Sequence, residues 1–172
     1  MAELDGRVVL VVGASGGLGS RLVAELAAAG ATVLSASRSS SASFDLRDPQ
    51  SIRDCVGALT ALDGVIVAAG VVAFGPAEQV SDTVLAELFE TNALGPITLI
   101  RELTPLLAES AAAGRTPFIV TLSGIVAESP TAGLAAYSAS KSALAAFVSA
   151  ASRELRRTGI RVLDARPGHT ET

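Results

Sequence analysis

Short apolar runs alternate with longer stretches of helical periodicity along this chain. The apolar runs predict buried strands at 7–12, 31–35, 64–70, 118–122 and 160–164, and Ser43-Phe44-Asp45 is a candidate for a short extra strand. Apolar positions with helical spacing predict helices at 18–29, 49–62, 81–89, 92–112 and 134–158. Strands that are apolar throughout and alternate with helices are typical of a parallel sheet with right-handed crossovers and helices on both faces. The pattern therefore predicts an α/β fold.

Several helix ends carry sequence signals. Gly30 is suited to end the first helix, and Ser81 or Asp82 is suited to cap the third. Pro96 and Pro105 leave the limits of the fourth helix open, because proline disrupts a helix interior.

The composition is that of a globular protein. Of 172 residues, 49% are hydrophobic and 17% are charged, and aromatic residues make up only 3%. The core must therefore be built from Val, Leu, Ile and Ala. We find no internal linker or repeat and expect a single domain over 1–172. The net charge of -4 argues against nucleic acid or an anionic membrane as a partner.

Cysteine usage and the first residues favour a cytoplasmic protein. Cys55 is the only cysteine, so an intrachain disulfide cannot form and a small buried residue is the ordinary interpretation. Glu3 and Asp5 stand where a signal peptide carries positive charge, and no apolar stretch approaches the ~18 residues that span a bilayer. His169, the only histidine, has no cluster of ligands around it, so we expect no metal site.

A glycine-rich loop, Gly13-Ala-Ser15-Gly-Gly17-Leu18-Gly19, joins the first strand to the first helix. A dinucleotide site needs glycine where the turn is tight and where the backbone approaches the pyrophosphate, and it uses the helix N-terminus to meet negative charge. We therefore expect Gly13, Ser15, Gly17, Leu18 and Gly19 to bind a nucleotide cofactor. The spacing Gly-x-x-x-Gly-x-Gly resembles that of the short-chain dehydrogenase/reductase family.

This resemblance implies a doubly wound parallel sheet, the Rossmann fold, with about six strands in the order 3-2-1-4-5-6. Family members continue past the segment that resembles Pro167-Gly168 with a substrate-covering segment and a seventh strand. This sequence has no residues for either. We expect a compact variant or a fragment, with an open substrate side.

The end of the second strand is expected to select the cofactor. A ribose 2′-hydroxyl is usually held by Asp or Glu, whereas a 2′-phosphate repels a carboxylate and attracts Arg. Family members that use NAD carry Asp where this chain has Ser37 followed by Arg38. A small residue followed by a basic one favours NADP(H) over NAD(H).

Two further segments resemble cofactor contacts of the family. Asp45-Leu46 resembles the pair beside the adenine, and Ala69-Gly70 resembles the end of the Asn-Asn-Ala-Gly segment under the cofactor. Both asparagines of that segment are absent here. What remains is a closely packed strand end without its usual polar anchor.

Tyr137 and Lys141 are four residues apart on a predicted helix and therefore share a face. A phenol near its ordinary pKa of about 10 handles protons poorly at neutral pH, and a neighbouring cation lowers that pKa. The family resemblance implies that Tyr137 exchanges the proton with a carbonyl or alcohol. It implies that Lys141 holds the nicotinamide ribose and lowers the tyrosine pKa, and that Asn92 supports a water-mediated proton relay.

The substrate-orienting serine of the family is not in its expected place. It usually lies thirteen residues before the tyrosine, where this chain has Gly124. Ser123 is its neighbour, and adjacent strand residues point to opposite faces, so Ser123 replaces it only if the strand end is twisted or bulged. Thr121 and Ser129 are weaker substitutes.

The last residues resemble the segment Pro-Gly-x-x-x-Thr that contacts the nicotinamide carboxamide. Pro167, Gly168, Thr170 and Thr172 are the candidate cofactor-binding residues there. The substrate is expected to be a small carbonyl or alcohol, whose pocket 127–134 helps to line. Relatives pair through the helix that resembles 134–158, which implies a homodimer or homotetramer.

Three functions remain open from the sequence. The first is an NADP(H)-dependent oxidoreductase that interconverts a carbonyl and an alcohol. The second is a non-catalytic NADP(H)-binding sensor or scaffold, favoured by Gly124 and by the early end of the chain. The third, a sugar-nucleotide epimerase, is opposed by its different glycine spacing and by the absence of residues for a larger substrate domain.

Overall fold

The computed structural model describes residues 4–38 and 44–168. A five-stranded sheet in the order β2-β1-β3-β4-β5, with every neighbouring pair parallel, forms its centre. The strands are β1 (Val8–Val12), β2 (Thr32–Ala36), β3 (Gly64–Val67), β4 (Phe118–Leu122) and β5 (Arg161–Ala165). The predicted parallel α/β fold is confirmed.

In the described part of the chain, five α-helices connect these strands. They are α1 (Gly17–Ala28), α2 (Pro49–Gly57), α3 (Asp82–Phe89), α4 (Gly95–Ala112) and α5 (Ala135–Leu155). A π-helix, Glu90–Leu94, joins α3 to α4, so the fourth predicted helix begins in π and continues in α geometry. Pro96 lies in the first turn of α4, directly after the π-helix, and Pro105 is accommodated inside the helix.

Apolar side chains are buried on both faces of the sheet. On one face, α1 contributes Leu26 to a cluster with Val9, Val11 and Ile66. On the other, α2, α4 and α5 pack against the alternate strand positions, with Leu10 and Val12 facing them. Because successive strand residues point to opposite faces, strands covered on both sides must be apolar along their whole length.

Two of the predicted helix ends agree with the structure. Gly30 has a φ of +89°, a left-handed conformation that closes α1, and its N–H donates to the carbonyl of Ala27. Ser81 caps α3 by accepting a hydrogen bond from the N–H of Val84 at 3.3 Å. The second helix ends at Gly57, earlier than the predicted residue 62.

The prediction of a short extra strand at 43–45 is wrong for Phe44 and Asp45, the two of its residues that the structure describes. Ser43 lies outside the described residues, and Phe44 and Asp45 are in irregular structure. The carboxylate of Asp45 accepts from the N–H of Arg47 at 2.9 Å, so this segment forms a local turn. Among the described residues the sheet has five strands, and these keep the predicted order.

Within residues 4–38 and 44–168, no helix is both long enough and apolar enough to cross a bilayer.

Candidate functional site

The glycine loop lies against the carboxyl end of β3. Gly13 has a φ of +83°, and a Cβ on it would lie 2.6 Å from the backbone nitrogen of Ala69. A Cβ on Gly19 would overlap the carbonyl oxygen of Gly13. Both positions therefore require glycine, whereas Ser15 and Gly17 are exposed. Helix α1 begins at Gly17, so the N–H groups of its first turn face outward from the loop and can meet an anion.

A cleft of about 530 Å³ opens at the carboxyl ends of β1, β2 and β3. The predicted cofactor residues that line it are Gly13, Ser15, Ser37, Arg38, Asp45, Leu46, Ala69 and Gly70. Leu18 and Gly19 belong to the helix start behind the loop. The cleft is at the position where open parallel sheets bind their ligands.

A carboxylate and two guanidinium groups lie at the end of the cleft near β2. Ser37 is buried and Arg38 is exposed. Asp45 forms a bidentate ion pair with Arg47, with Nη2 donating to Oδ2 at 2.7 Å and Nε donating to Oδ1 at 3.1 Å. Hydrogen bonds from Arg47 hold the pKa of Asp45 below its ordinary value. The charge of Asp45 is therefore largely satisfied within the chain.

Arg47 also lines the cleft, and the sequence reasoning missed it. It lies 3.9 Å from Glu87 of α3 on its other side. An acidic and a basic residue two positions apart, between the candidate strand at 43–45 and the second predicted helix, are the signal that could have found it.

Asn92 connects the segment after β3 to α5. The residue is fully buried in the π-helix, a geometry often found at functional sites. Its Oδ1 accepts from the N–H of Val71 at 2.9 Å, and its Nδ2 donates to the carbonyl of Val71 at 2.8 Å and to Ser140 Oγ at 3.0 Å. Ser140 in turn donates to the carbonyl of Tyr137. The amide therefore has partners on both sides.

Lys141 extends into the same region from the next turn of α5. It is 6% exposed, its Nζ donates to the carbonyl of Leu122 at 2.9 Å, and it lies 5.9 Å from the centroid of the Tyr137 ring. A Cβ on Gly70 would be 3.1 Å from Lys141 Nζ and 3.2 Å from Asn92 Oδ1. The structure thus brings Asn92 and Lys141 together beside Gly70, which lines the cleft, with the Tyr137 ring next to Lys141.

Burial sets the pKa values of the lysine and the tyrosine. It lowers the pKa of Lys141 to about 8, and the charge of Asp164 partly offsets this effect. It raises the pKa of the half-buried Tyr137 phenol above 10.0. The family resemblance implied a lowered tyrosine pKa, so in this structure burial moves it in the opposite direction.

Ser123 faces into the contact between β4 and β5. It is fully buried, and its Oγ donates to Asp164 Oδ2 at 2.6 Å. Thr121, two residues earlier on the same side of the strand, donates to Asp164 Oδ1 at 2.8 Å. Gly124 then turns the chain with a φ of +75°. The strand keeps its alternation to the end, and Ser129 is exposed.

Asp164 is a partly buried residue that the sequence reasoning did not select. Burial opposes its ionisation, but hydrogen bonds from Ser123, Arg166 and Thr121 outweigh it and hold the pKa of Asp164 below its ordinary value. Arg166 donates from Nε at 2.8 Å and forms an ion pair with Glu128 on its outer side. An aspartate inside the last apolar run, beside a strand with two polar positions in alternation, was the available signal.

The last predicted cofactor residues are only partly within the described part of the chain. The carbonyl of Pro167 accepts from the N–H of Ile125 at 2.9 Å, which holds this segment beside the turn after β4. Gly168 is exposed. Thr170 and Thr172, with His169, lie outside the described residues. Among residues 4–38 and 44–168, no group of three or more His, Cys, Asp or Glu residues could hold a metal ion.

The parallel sheet, its glycine loop and the cleft at the strand ends define a nucleotide-binding domain of the Rossmann type. Residues 40–172 match the model of the family described as short chain dehydrogenase, and the chain belongs to this family.

Individual proteins support the same assignment. The chain is 31% identical over 194 residues to ketoacyl reductase HetN of Nostoc sp. (strain PCC 7120 / SAG 25.82 / UTEX 2576). That similarity covers 98% of this chain and 65% of the relative, so the chain spans just under two thirds of the relative's length.

Two solved structures share the fold. One is a 3-ketoacyl-(acyl-carrier-protein) reductase from Brucella melitensis complexed with NADH, with 24% identity, a TM-score of 0.89 and coverage of 96% of this chain and 76% of that one. The other is a short chain dehydrogenase from Burkholderia cenocepacia J2315 in complex with NADP, with 24% identity, a TM-score of 0.90 and coverage of 99% and 75%.

Proposed function

We propose that this chain is an NADP(H)-dependent oxidoreductase that interconverts a carbonyl and an alcohol. The observation that carries the proposal is the convergence of Lys141 Nζ and Asn92 Oδ1 on Gly70, at the end of a cleft that starts at the glycine loop. An ammonium group and a buried amide meet there, beside the strand ends that bind ligands in this fold, and the Tyr137 ring centroid is 5.9 Å from the ammonium.

The cleft fits a nicotinamide dinucleotide. Gly13 and Gly19 allow a close approach of backbone segments that a Cβ at either position would prevent. The N-terminus of α1 can meet the pyrophosphate charge. Asp45 and Leu46 would hold the adenine end, and Lys141 the nicotinamide ribose. The cofactor supplies or accepts the hydride.

The preference for NADP(H) rests on the residues after β2. The similar folds from Brucella and Burkholderia hold NADH and NADP respectively, so the fold alone does not select the cofactor. Here Ser37 leaves no carboxylate to repel a 2′-phosphate, and Arg38 lines the same cleft. The nearby carboxylate of Asp45 is paired with Arg47.

The proton chemistry is assigned to Tyr137. Because burial raises its pKa, the phenol carries its proton at neutral pH, which is the form that can protonate a carbonyl oxygen during reduction. Lys141 remains mostly cationic below its pKa of about 8 and favours the phenolate left behind. Asn92 fixes the segment of Val71 against α5 and would support a proton relay near Lys141.

Oxidation of NADPH with a panel of ketones and aldehydes tests this function. Tyr137→Phe should lower kcat about 100-fold or more, because it removes the proton donor and preserves the ring. Its NADPH affinity and circular dichroism should match those of the wild type. A variant as active as the wild type would exclude Tyr137 as the acid.

A non-catalytic NADP(H)-binding protein is the second candidate. The position of Ser123 favours it, because that hydroxyl is committed to Asp164 while Gly124 occupies the usual serine position. NADPH binding without turnover of any substrate in the panel, in a chain extended to the length of its relatives, would support this function.

Self-association through α5 is proposed for either function. The exposed side chains of this helix include Ala139, Ala146 and Ala150, which allow close helix–helix contact. Sedimentation velocity of the wild type and of Ala146→Glu would test it, with the variant expected to dissociate to monomers.

A further inference from the structure

The carboxylate of Asp164 has no part in the proposed proton chemistry, yet the residues that donate to it flank Leu122, whose carbonyl binds Lys141. Its side chain is 9% exposed and accepts three hydrogen bonds, from Thr121, Ser123 and Arg166. Thr121 is its register partner across β4 and β5. A charged group in this position costs desolvation, which hydrogen bonds must compensate.

The two hydroxyl donors lie on either side of the residue that binds Lys141. Thr121 and Ser123 alternate along the strand end and both face Asp164, one on each carboxylate oxygen. Between them is Leu122, whose carbonyl accepts the Lys141 ammonium. We propose that Asp164 is a positioning residue, which fixes the end of β4 through Thr121 and Ser123 so that the Leu122 carbonyl holds Lys141 in the site.

Asp164 on β5 also supplies a negative charge that acts on the Lys141 ammonium. Of the groups that face Lys141 in the described residues, Tyr137 on α5 carries a neutral phenol at pH 7, and Gly70 and Asn92 are uncharged. Asp164 favours the ammonium form against the effect of burial. Arg166 binds Asp164 from the other side but is itself paired with Glu128.

Lys141 can be observed without interference, because it is the only lysine in the chain. Protein labelled with [13Cε]lysine gives one lysine resonance, and its chemical shift titrates with the ammonium group. This measurement needs no substrate. The inference rests on the proposed function only for the role of Lys141 in turnover.

Three variants separate a positioning role from general stabilisation. Asp164→Asn keeps the shape of the side chain and removes its charge. Thr121→Val removes one hydroxyl and leaves the charge. Asp63→Asn is the matched control, because Asp63 is also buried and accepts hydrogen bonds from Val8, Ser110 and Arg115, but at the opposite end of the sheet.

In Asp164→Asn, the midpoint of the Lys141 titration should fall below the wild-type value of about 8, since the ammonium loses its counter-charge. Its kcat at pH 7 should fall about tenfold, as expected for the loss of hydrogen bonding to a charged group. Thr121→Val should shift the lysine resonance at pH 6 and change the midpoint less. Asp63→Asn should leave both the resonance and the midpoint unchanged.

The proposal is overturned if the lysine titration of Asp164→Asn matches the wild type, or if Asp63→Asn alters it equally. Should Asp164→Asn fail to fold, an unchanged lysine resonance in Thr121→Val and in Ser123→Ala would overturn it. An inactive wild type whose lysine titration responds to Asp164→Asn would instead contradict only the proposed oxidoreductase function.

Discussion

The ammonium nitrogen of Lys141 lies 2.9 Å from the carbonyl oxygen of Leu122, inside a region where the lysine side chain is almost fully buried. One carbonyl and a partly neutralised carboxylate do not replace the lost hydration, so burial lowers the pKa of Lys141 from 10.5 to about 8. The folded chain therefore carries this charge at a cost in stability.

Lys141→Met should consequently stabilise the chain at pH 7. The lowered pKa means that the buried charge destabilises the folded chain by roughly 3 kcal/mol, which the variant removes. Loss of the hydrogen bond to the Leu122 carbonyl costs the variant about 1 kcal/mol, so its free energy of unfolding should be higher by roughly 2 kcal/mol. Urea denaturation measures it. Arg153→Met, an exposed cation of the same helix, should change stability by less than about 0.5 kcal/mol. A destabilised Lys141→Met would contradict this account.

The wild type should also become more stable relative to Lys141→Met as the pH rises from about 8 to 10.5. Across this range the folded lysine has lost its proton while the unfolded lysine keeps it, so the unfolded state binds more protons and stability rises with pH. The raised pKa of Tyr137 acts above 10.0 in the opposite direction, but it is common to both proteins. Parallel stability curves for the two would show that Lys141 is not the titrating group.

Gly19→Ala should destabilise the chain, and Gly16→Ala should not. A Cβ on Gly19 would overlap the Gly13 carbonyl, whereas one on Gly16 would be 3.4 Å from that oxygen with an ordinary φ of -74°. The backbone overlap should outweigh the roughly 1 kcal/mol by which alanine favours a helix interior. Thermal unfolding should give a lower Tm for Gly19→Ala alone. Equal Tm values would mean that the loop relaxes freely.

Arg38→Ala should weaken NADPH binding about tenfold and leave NADH binding unchanged, as expected for one charge-assisted hydrogen bond to a phosphate. Fluorescence titration with each cofactor measures both affinities. Arg53→Ala, an exposed arginine of α2, is the matched control and should bind both cofactors like the wild type. Equal binding of the two cofactors, unaffected by Arg38→Ala, would exclude the NADP(H) assignment.

Most of the sheet could be predicted because burial on two faces leaves a direct trace in the sequence. Runs such as Val8–Val12 have no polar position. A strand with one face in water would instead alternate apolar and polar residues. The error at Phe44 and Asp45 arose because a short apolar–polar pattern does not reveal side-chain hydrogen bonding, and Asp45 binds the N–H of Arg47 in place of a neighbouring strand.

The candidate site also contains residues that the sequence could place together and residues that only the folded structure brings together. Tyr137 and Lys141 are close in sequence, so helix periodicity alone places them on one face. Asp164, Thr121 and Ser123 come from two strands about forty residues apart, and only the register of β4 against β5 brings them together. The π-helix was missed because one extra residue per turn leaves the apolar pattern of a short segment almost unchanged.

That π-helix makes the length of the segment from Glu90 to Leu94 part of the site. A single-residue deletion there would restore regular α geometry and would satisfy helix propensity better than the natural sequence does. It would also rotate everything before it by about 100° relative to α4, since each residue turns an α-helix by that angle. Asn92 could then not face both Val71 and Ser140. Insertions and deletions in this turn should therefore be as damaging as substitutions of the amide itself.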